Sequence, residues 1–153
     1  MDKKIEIFTD GACSGNPGAA GIGVVIKKDG KTVKELSRMI ETATNNIAEY
    51  MAVIYGLQAA LILRADDVVL NTDSELLFKQ VKGEYKVKNP NIKVLFDQVK
   101  HLASGFKDLK FKQIPREQNN DADKLAKGAI KKRQAKAVAL EFNFGEESPS
   151  SKG

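Results

Sequence analysis

The sequence predicts one α/β domain in which a mixed five-stranded sheet is flanked by helices. Three segments near the N-terminus alternate apolar and polar residues and are joined by short turns, which indicates an antiparallel meander. After residue 44, helical patterns alternate with short β-rich runs, which is typical of parallel strands connected by helices. The 153 residues are enough for one domain with a buried core.

The meander is predicted within residues 4–39. Its first strand, 4–10, leads into a glycine-rich loop at 11–18, because glycine, asparagine and proline favour turns. The second strand is expected at Ala20–Lys28. Asp29-Gly30 is a strong hairpin signal, and the third strand follows at Lys31–Met39.

The remaining elements follow from spacing, since apolar residues recur three or four positions apart in some segments and form short runs in others. The predicted order is a helix after the capping residues 44–46, a strand at 68–73, helices at 74–81 and 91–104, a strand at 109–114, and a last helix over 122–130.

The composition changes near residue 136, so we assign 1–136 to the domain and 137–153 to a C-terminal tail. Residues 145–153 are polar and disorder-prone. The apolar residues before them alternate with other residues and could dock on the edge of the sheet as a strand, bind a partner or remain loose: Val138, Leu140, Phe142 and Phe144. Of these alternatives we expect docking.

Several classes of protein are excluded by composition. A single cysteine, Cys13, excludes an intramolecular disulfide and a cysteine-based zinc cluster. No apolar run approaches the roughly 18 residues that a membrane helix needs, and the N-terminus leads into a strand pattern rather than a signal peptide. We therefore expect a cytoplasmic monomer that does not contact a membrane.

Positive charge is concentrated in one part of the chain. The net charge is +5, and residues 76–116 contain ten basic side chains against three acidic ones. Clustered lysines add affinity for nucleic acids by releasing condensed counterions. The alternative is a solvated surface that maintains solubility, and charge by itself favours that alternative.

Four carboxylates occupy places where loops gather over one face of a layered fold. Asp10 and Asp73 lie where predicted strands end, and Glu49 and Asp123 lie in the first turns of predicted helices, with Asp121 competing for the role of Asp123. Each has an ordinary explanation as a turn residue, a helix cap or a partner of the helix dipole. Four converging carboxylates would repel one another unless cations held them, and oxygen ligands suit Mg²⁺ or Mn²⁺.

Four motifs occur in an order that resembles type 1 ribonuclease H: IFTDGACSGNPG at 7–18, TNNIAEY at 44–50, NTDS at 71–74 and NDADKLA at 120–126. They extend over most of the chain, and the resemblance implies the ribonuclease H-like fold. It also implies an endoribonuclease that hydrolyses the RNA strand of RNA–DNA hybrids and leaves 5′-phosphate and 3′-hydroxyl ends.

The resemblance assigns the four acids as catalytic residues that bind two Mg²⁺ ions, with Mn²⁺ as a substitute. It implies that Asp10 bridges the ions, that Glu49 and Asp73 bind one, and that Asp123 binds the other. One metal would hold the attacking water and the other would stabilise the departing 3′ oxygen.

Contacts to the hybrid are also implied by the resemblance, since RNA is distinguished from DNA through its 2′-hydroxyls and an amide can both donate and accept. Asn45 and Asn46 are at the same time candidates for capping a helix. The substrate-binding residues expected from the matched motifs are Gly11, Cys13, Gly15, Asn16, Asn45, Asn46 and Ser74.

The sequence departs from well-known relatives in three places. The loop 115–119 lacks the histidine that often precedes the last acid, so Arg116, Glu117 or water would have to assist proton transfer or product release. The segment 82–90 is too short for the extended basic protrusion of some relatives. Glu75 stands where relatives often have glutamine and cannot donate to a base edge, so we allow for additional cleavage of double-stranded RNA.

Two other functions share parts of this pattern. A binding module could keep the fold without cleavage, but it has no reason to keep four mutually repelling carboxylates. An exonuclease of the wider superfamily also uses acids and two metals, but the glycine-rich stretch and the paired asparagines favour the endonuclease.

Overall fold

The computed structural model describes residues 4–132 and confirms the α/β class and the predicted order of elements. Five strands form one sheet in the order β3-β2-β1-β4-β5. The elements are β1 (Lys4–Gly15), β2 (Gly18–Lys28), β3 (Lys31–Ala43), α1 (Asn45–Ile62), β4 (Asp67–Thr72), α2 (Glu75–Val81), α3 (Pro90–Ala103), β5 (Asp108–Gln113), a 3₁₀ turn (Arg116–Gln118) and α4 (120–132).

Strand β1 is longer than predicted. The stretch from residue 11 to 15 was expected to be a loop, but it continues the strand and pairs antiparallel with β2, with Gly11 opposite Ile22 and Gly15 opposite Gly18. Gly11 suits this position because a Cβ atom there would lie 2.2 Å from the backbone carbon of Ala48 in α1. The glycines therefore allow close approach of a helix rather than forming a loop.

The core lies between the sheet and the helices α1, α2 and α3. Ile7 of β1, Val24 of β2 and Leu70 of β4 are fully buried and belong to the same apolar cluster as Tyr50 and Leu57 of α1. The hydroxyl of Tyr50 donates a hydrogen bond of 2.9 Å to Gln80 Oε1 of α2, which satisfies both buried polar groups. Because β1 is central and packs under α1, its end is held firmly.

Helix α4 packs on the opposite face of the sheet. A Cβ atom at Gly23 of β2 would lie 2.0 Å from the carbonyl oxygen of Ala122, so the absence of a side chain lets α4 approach the strand closely. The hydroxyl of Ser37 in β3 donates a 2.7 Å hydrogen bond to the carbonyl of Leu125. These contacts fix the start of α4, where Asp123 lies.

The predicted domain boundary at residue 136 and the predicted docking of 137–153 lie outside the described residues. Within residues 4–132, no helix combines the length and the apolar character needed to cross a membrane.

We predict that Gly23→Ala lowers the free energy of unfolding by about 3 kcal/mol, because the new methyl group would overlap the backbone of α4. Gly128→Ala is the matched control, because no atom lies within 4 Å of the methyl group that it adds. Since Gly128 lies in a helix, this substitution should raise the free energy of unfolding by about 1 kcal/mol. Urea unfolding of both variants would measure the difference, and equal stability of the two would contradict the packing described for α4.

Candidate active site

Three of the four predicted acids meet at one end of the sheet. The parallel pairing of β1 with β4 places Thr9 beside Thr72, so the residues that follow, Asp10 and Asp73, are neighbours. Glu49 joins them from α1, and one carboxylate oxygen from each residue lies within 4.8 Å of the others. The ends of adjacent parallel strands are where α/β proteins commonly bind ligands.

Glu49 is positioned by the start of α1 and by the backbone of β1. The Thr44 hydroxyl accepts a hydrogen bond from the Ile47 amide and caps α1, which begins at Asn45. Glu49 is therefore the fifth helical residue, and its predicted place in the first turn is wrong by one position. Its Oε1 accepts a 2.6 Å hydrogen bond from the amide of Gly11, which aims the carboxylate at β1.

Asp73 does not cap the following helix. The side chain of Ser74 accepts the hydrogen bond from the Leu77 amide and is the N-cap of α2. The carboxylate of Asp73 instead accepts a 2.8 Å hydrogen bond from Asn119 Nδ2. The ordinary explanation of Asp73 as a helix cap therefore does not apply, and its carboxylate belongs to the acidic cluster.

Asp123 lies on the border of this cluster. It is outside the group of three acids, yet it lines the same cleft of about 330 Å³ as Asp10, Glu49 and Asp73. Its Oδ2 lies 3.1 Å from Lys127 Nζ, one helical turn further along α4. Asp121 is exposed and lines a different depression, so the structure favours Asp123 over Asp121 as the fourth carboxylate of the site.

Burial and nearby carboxylates raise the pKa of two of the acids, Asp10 and Glu49. Asp10 is only 7% exposed. Burial and then the charge of Glu49, with smaller contributions from Asp73 and Asp123, raise the pKa of Asp10 to about 10. Burial also raises the pKa of Glu49 to about 7, although hydrogen bonds from Asp10 and from the Gly11 amide oppose this rise. Ionisation of these two acids in the folded protein therefore costs free energy, and a bound cation would relieve that cost.

Four of the predicted substrate-binding residues lie at the cleft or contact its lining. Gly11, Cys13 and Asn45 line it. Cys13 Sγ donates a 2.9 Å hydrogen bond to Asn45 Oδ1, and Asn16 Oδ1 accepts a 3.0 Å bond from the Asn45 amide. The turn between β1 and β2 is thereby tied to the start of α1. The cleft thus has an edge of backbone and amide groups.

The other three predicted contacts are placed differently. Gly15 is the last residue of β1 and has a φ of +100°. Asn46 Oδ1 is buried without a hydrogen-bond partner, and the hydroxyl of Ser74 caps α2. Neither asparagine caps α1, because Thr44 does, so the idea that Asn45 or Asn46 serves as the cap is wrong.

Two residues at the site were missed by the sequence interpretation. Lys127 lines the cleft, and its spacing of four from Asp123 in a predicted helix was a usable signal. Asn119 had no such signal, because an asparagine before a helix is commonly a cap. Arg116, which the sequence offered as a substitute for the missing histidine, also lines the cleft.

Comparison with known proteins identifies the family. The "Reverse transcriptase-like" family profile matches residues 8–129. RNase H1 of the archaeon Halobacterium salinarum superposes with a TM-score of 0.83 at 38% identity, covering 84% of this chain and 98% of the other. The chain belongs to the type 1 ribonuclease H family. LC11-RNase H1, solved in complex with an RNA/DNA hybrid, gives a TM-score of 0.81 at 42% identity, over 85% and 99% of the two chains.

Relatives of this chain also occur as parts of longer proteins. A bifunctional protein of Mycobacterium tuberculosis is 41% identical over 129 residues, which is 83% of this chain and 35% of the relative. The chain therefore spans about a third of that protein.

We predict that Asp10→Asn raises the free energy of unfolding at pH 7 without divalent metal by on the order of 2 kcal/mol. The folded-state pKa of Asp10 is raised, so its ionisation costs stability as pH rises above the unfolded value near 4, and an amide removes that cost. Addition of Mg²⁺ should narrow the difference, because only the charged site gains from the cation.

Asp121→Asn is the matched control, because Asp121 is exposed and outside the cleft. We expect it to change stability by less than about 0.5 kcal/mol. Thermal and urea unfolding with and without Mg²⁺ would measure both variants, and a less stable Asp10→Asn protein would refute the cost assigned to the carboxylate cluster.

Proposed function

We propose that the protein is a metal-dependent endoribonuclease that hydrolyses the RNA strand of RNA–DNA hybrids. The observation that carries this proposal is the convergence of Asp10, Glu49 and Asp73 within 4.8 Å, in a cleft that Asp123 also lines. Such a cluster has no structural benefit of its own, because burial and repulsion make it costly. Family membership supplies the reaction class.

The donor set fits Mg²⁺ or Mn²⁺. Carboxylate oxygens are the hard ligands that these ions prefer, and the described part of the cleft offers them from β1, α1 and the end of β4. Asp10, Glu49 and Asp73 would hold one ion, and Asp10 with Asp123 would hold a second. Bound metal would supply an activated water and stabilise the departing 3′ oxygen, leaving a 5′ phosphate on the product.

The proposed substrate is an RNA–DNA hybrid, as in the complex of LC11-RNase H1. Selection of RNA requires groups that contact 2′-hydroxyls. Gly11 and Asn45 place backbone and amide groups on the cleft, and the Asn16–Asn45 hydrogen bond holds this edge together. We assign the RNA strand to this edge.

The DNA strand is assigned to the basic surface. Lys82, which directly follows α2, Lys100 of α3 and Lys110 of β5 line a common groove of about 450 Å³, so lysines distant in sequence lie together. Their charges would contact phosphates without reading sequence. This surface takes the place of the basic protrusion that the short segment 82–90 does not provide.

Arg116 is the side chain best placed to replace the missing histidine. It lines the cleft with the acids, and its positive charge opposes the rise in the pKa of Glu49 that burial causes. Arginine stays protonated, so it would attract phosphate and stabilise charge rather than shuttle a proton. Proton transfer would then depend on water.

We predict internal cleavage of the RNA strand in a closed circular hybrid with Mg²⁺ or Mn²⁺, and none with EDTA. Asp10→Asn should lower the rate by more than about a hundredfold, because loss of a metal ligand exceeds the usual cost of losing an outer partner. Asp121→Asn should cleave like the unsubstituted protein, as its carboxylate lies outside the cleft. Product analysis by gel would show 5′-phosphate ends.

The outcomes separate the alternatives. Cleavage of linear but not circular substrates would indicate an exonuclease. Tight binding of the hybrid by folded protein without cleavage in either metal would indicate a binding module and refute the proposed reaction.

A second prediction concerns double-stranded RNA, which we propose is also cleaved. Glu75 begins α2 next to Ser74, and its exposed carboxylate lies 3.8 Å from Lys79 Nζ. Glu75→Gln introduces a side-chain N–H that can donate a hydrogen bond to a base edge. Because one such hydrogen bond is worth about 1 kcal/mol, the ratio of the cleavage rate of the hybrid to that of double-stranded RNA should rise about fivefold. Glu84→Gln, another exposed acid, is the control. An unchanged ratio would exclude Glu75 as the determinant, and absent cleavage of double-stranded RNA would refute the added activity.

A further inference from the structure

Asn119 connects the elements that carry three of the four acids. It precedes α4 and is only 1% exposed. Its Nδ2 donates one hydrogen bond of 2.9 Å to the carbonyl of Thr9, the residue before Asp10, and another of 2.8 Å to Asp73 Oδ2. The backbone carbonyl of Asn119 accepts a 3.1 Å hydrogen bond from the backbone amide of Asp123.

The orientation of this amide follows from the chemistry of its partners. A carbonyl and a carboxylate both accept hydrogen bonds, so only the NH₂ group of Asn119 can face them. The remaining atom, Oδ1, is buried and has no hydrogen-bond partner among the described residues. An unsatisfied buried acceptor costs about 1–3 kcal/mol, so stability alone does not explain an asparagine here.

Capping of α4 does not explain Asn119 either. A capping side chain accepts a hydrogen bond from an amide in the first helical turn. The oxygen of Asn119 accepts none, and only its backbone carbonyl bonds to α4. Its side chain is directed instead to β1 and to the residue after β4.

We propose that Asn119 is a positioning residue that orients Asp73 for metal binding. It occupies one oxygen of the Asp73 carboxylate with a neutral donor, so the carboxylate is held in one orientation without added charge. Through Thr9 and the Asp123 amide, it also sets the spacing between the three acid-bearing elements. Partners that orient ligands in this way affect metal affinity about 10–100-fold when they are lost. This role rests on the proposed metal-dependent function.

The test compares Asn119→Ala and Asn119→Ser with Asn120→Ala. Serine can cap α4 but cannot span both acceptors, so it keeps a folded variant available if alanine fails. Asn120 is the same residue type next in sequence, but it is exposed, and among residues 4–132 its Nδ2 donates only to the Glu117 carbonyl. Two quantities are measured for each protein, the Mn²⁺ affinity of the free protein by calorimetry and the Mg²⁺ concentration for half-maximal hybrid cleavage.

We expect both Asn119 variants to bind Mn²⁺ about tenfold or more weakly and to need correspondingly more Mg²⁺, while Asn120→Ala matches the unsubstituted protein. A purely structural role would lower the melting temperature and leave both metal values unchanged, which would overturn the proposal. Absence of Mn²⁺ binding by the unsubstituted protein would overturn it as well.

The calorimetric measurement does not need the reaction. If the unsubstituted protein binds Mn²⁺ but does not cleave the hybrid, the proposed function fails, and the difference in Mn²⁺ affinity still decides the role of Asn119.

Discussion

The parallel pairing of β1 with β4 is the contact on which the site depends. It lies at the centre of the sheet, under a fully buried core, and it makes Asp10 and Asp73 neighbours. Glu49 can join them only because Gly11 has no side chain, so that α1 passes within hydrogen-bonding distance of β1. Backbone geometry thus brings the three acids together, and the close packing of the apolar core keeps them in place although their charges repel one another.

Stability and function oppose each other at this cluster. Burial of Asp10 beside two further carboxylates destabilises the metal-free protein, as its raised pKa indicates. The surrounding hydrogen bonds are arranged to tolerate that cost: the Gly11 amide donates to Glu49, and Asn119 donates to Asp73. Local rules of protein stability are commonly broken at functional sites, and here the violation coincides with the only group of three adjacent acids found within residues 4–132.

The order of elements and three of the four acids at one site could be predicted, because periodicity reports burial and the motifs report family. The extent of β1 could not, since glycines predict turns unless the approach of Ala48 is known. The N-cap of α1 could not be predicted either, because Thr44, Asn45 and Asn46 are all common capping residues. Only the backbone conformation shows that Thr44 is the cap. Asn119 depends on contacts to Thr9 and Asp73, far away in sequence, and no local pattern contains that information.

The pairing of Lys127 with Asp123 has a consequence for how the cleft exchanges ions. A cation that binds Asp123 Oδ2 competes with the ammonium group of Lys127, so its binding there exchanges one positive charge for another. Lys127 is 63% exposed, and such surface pairs are worth about 1 kcal/mol or less. The protein thus carries its own weak competitor at the fourth acid, and occupancy there should respond to monovalent salt differently from occupancy at the other three.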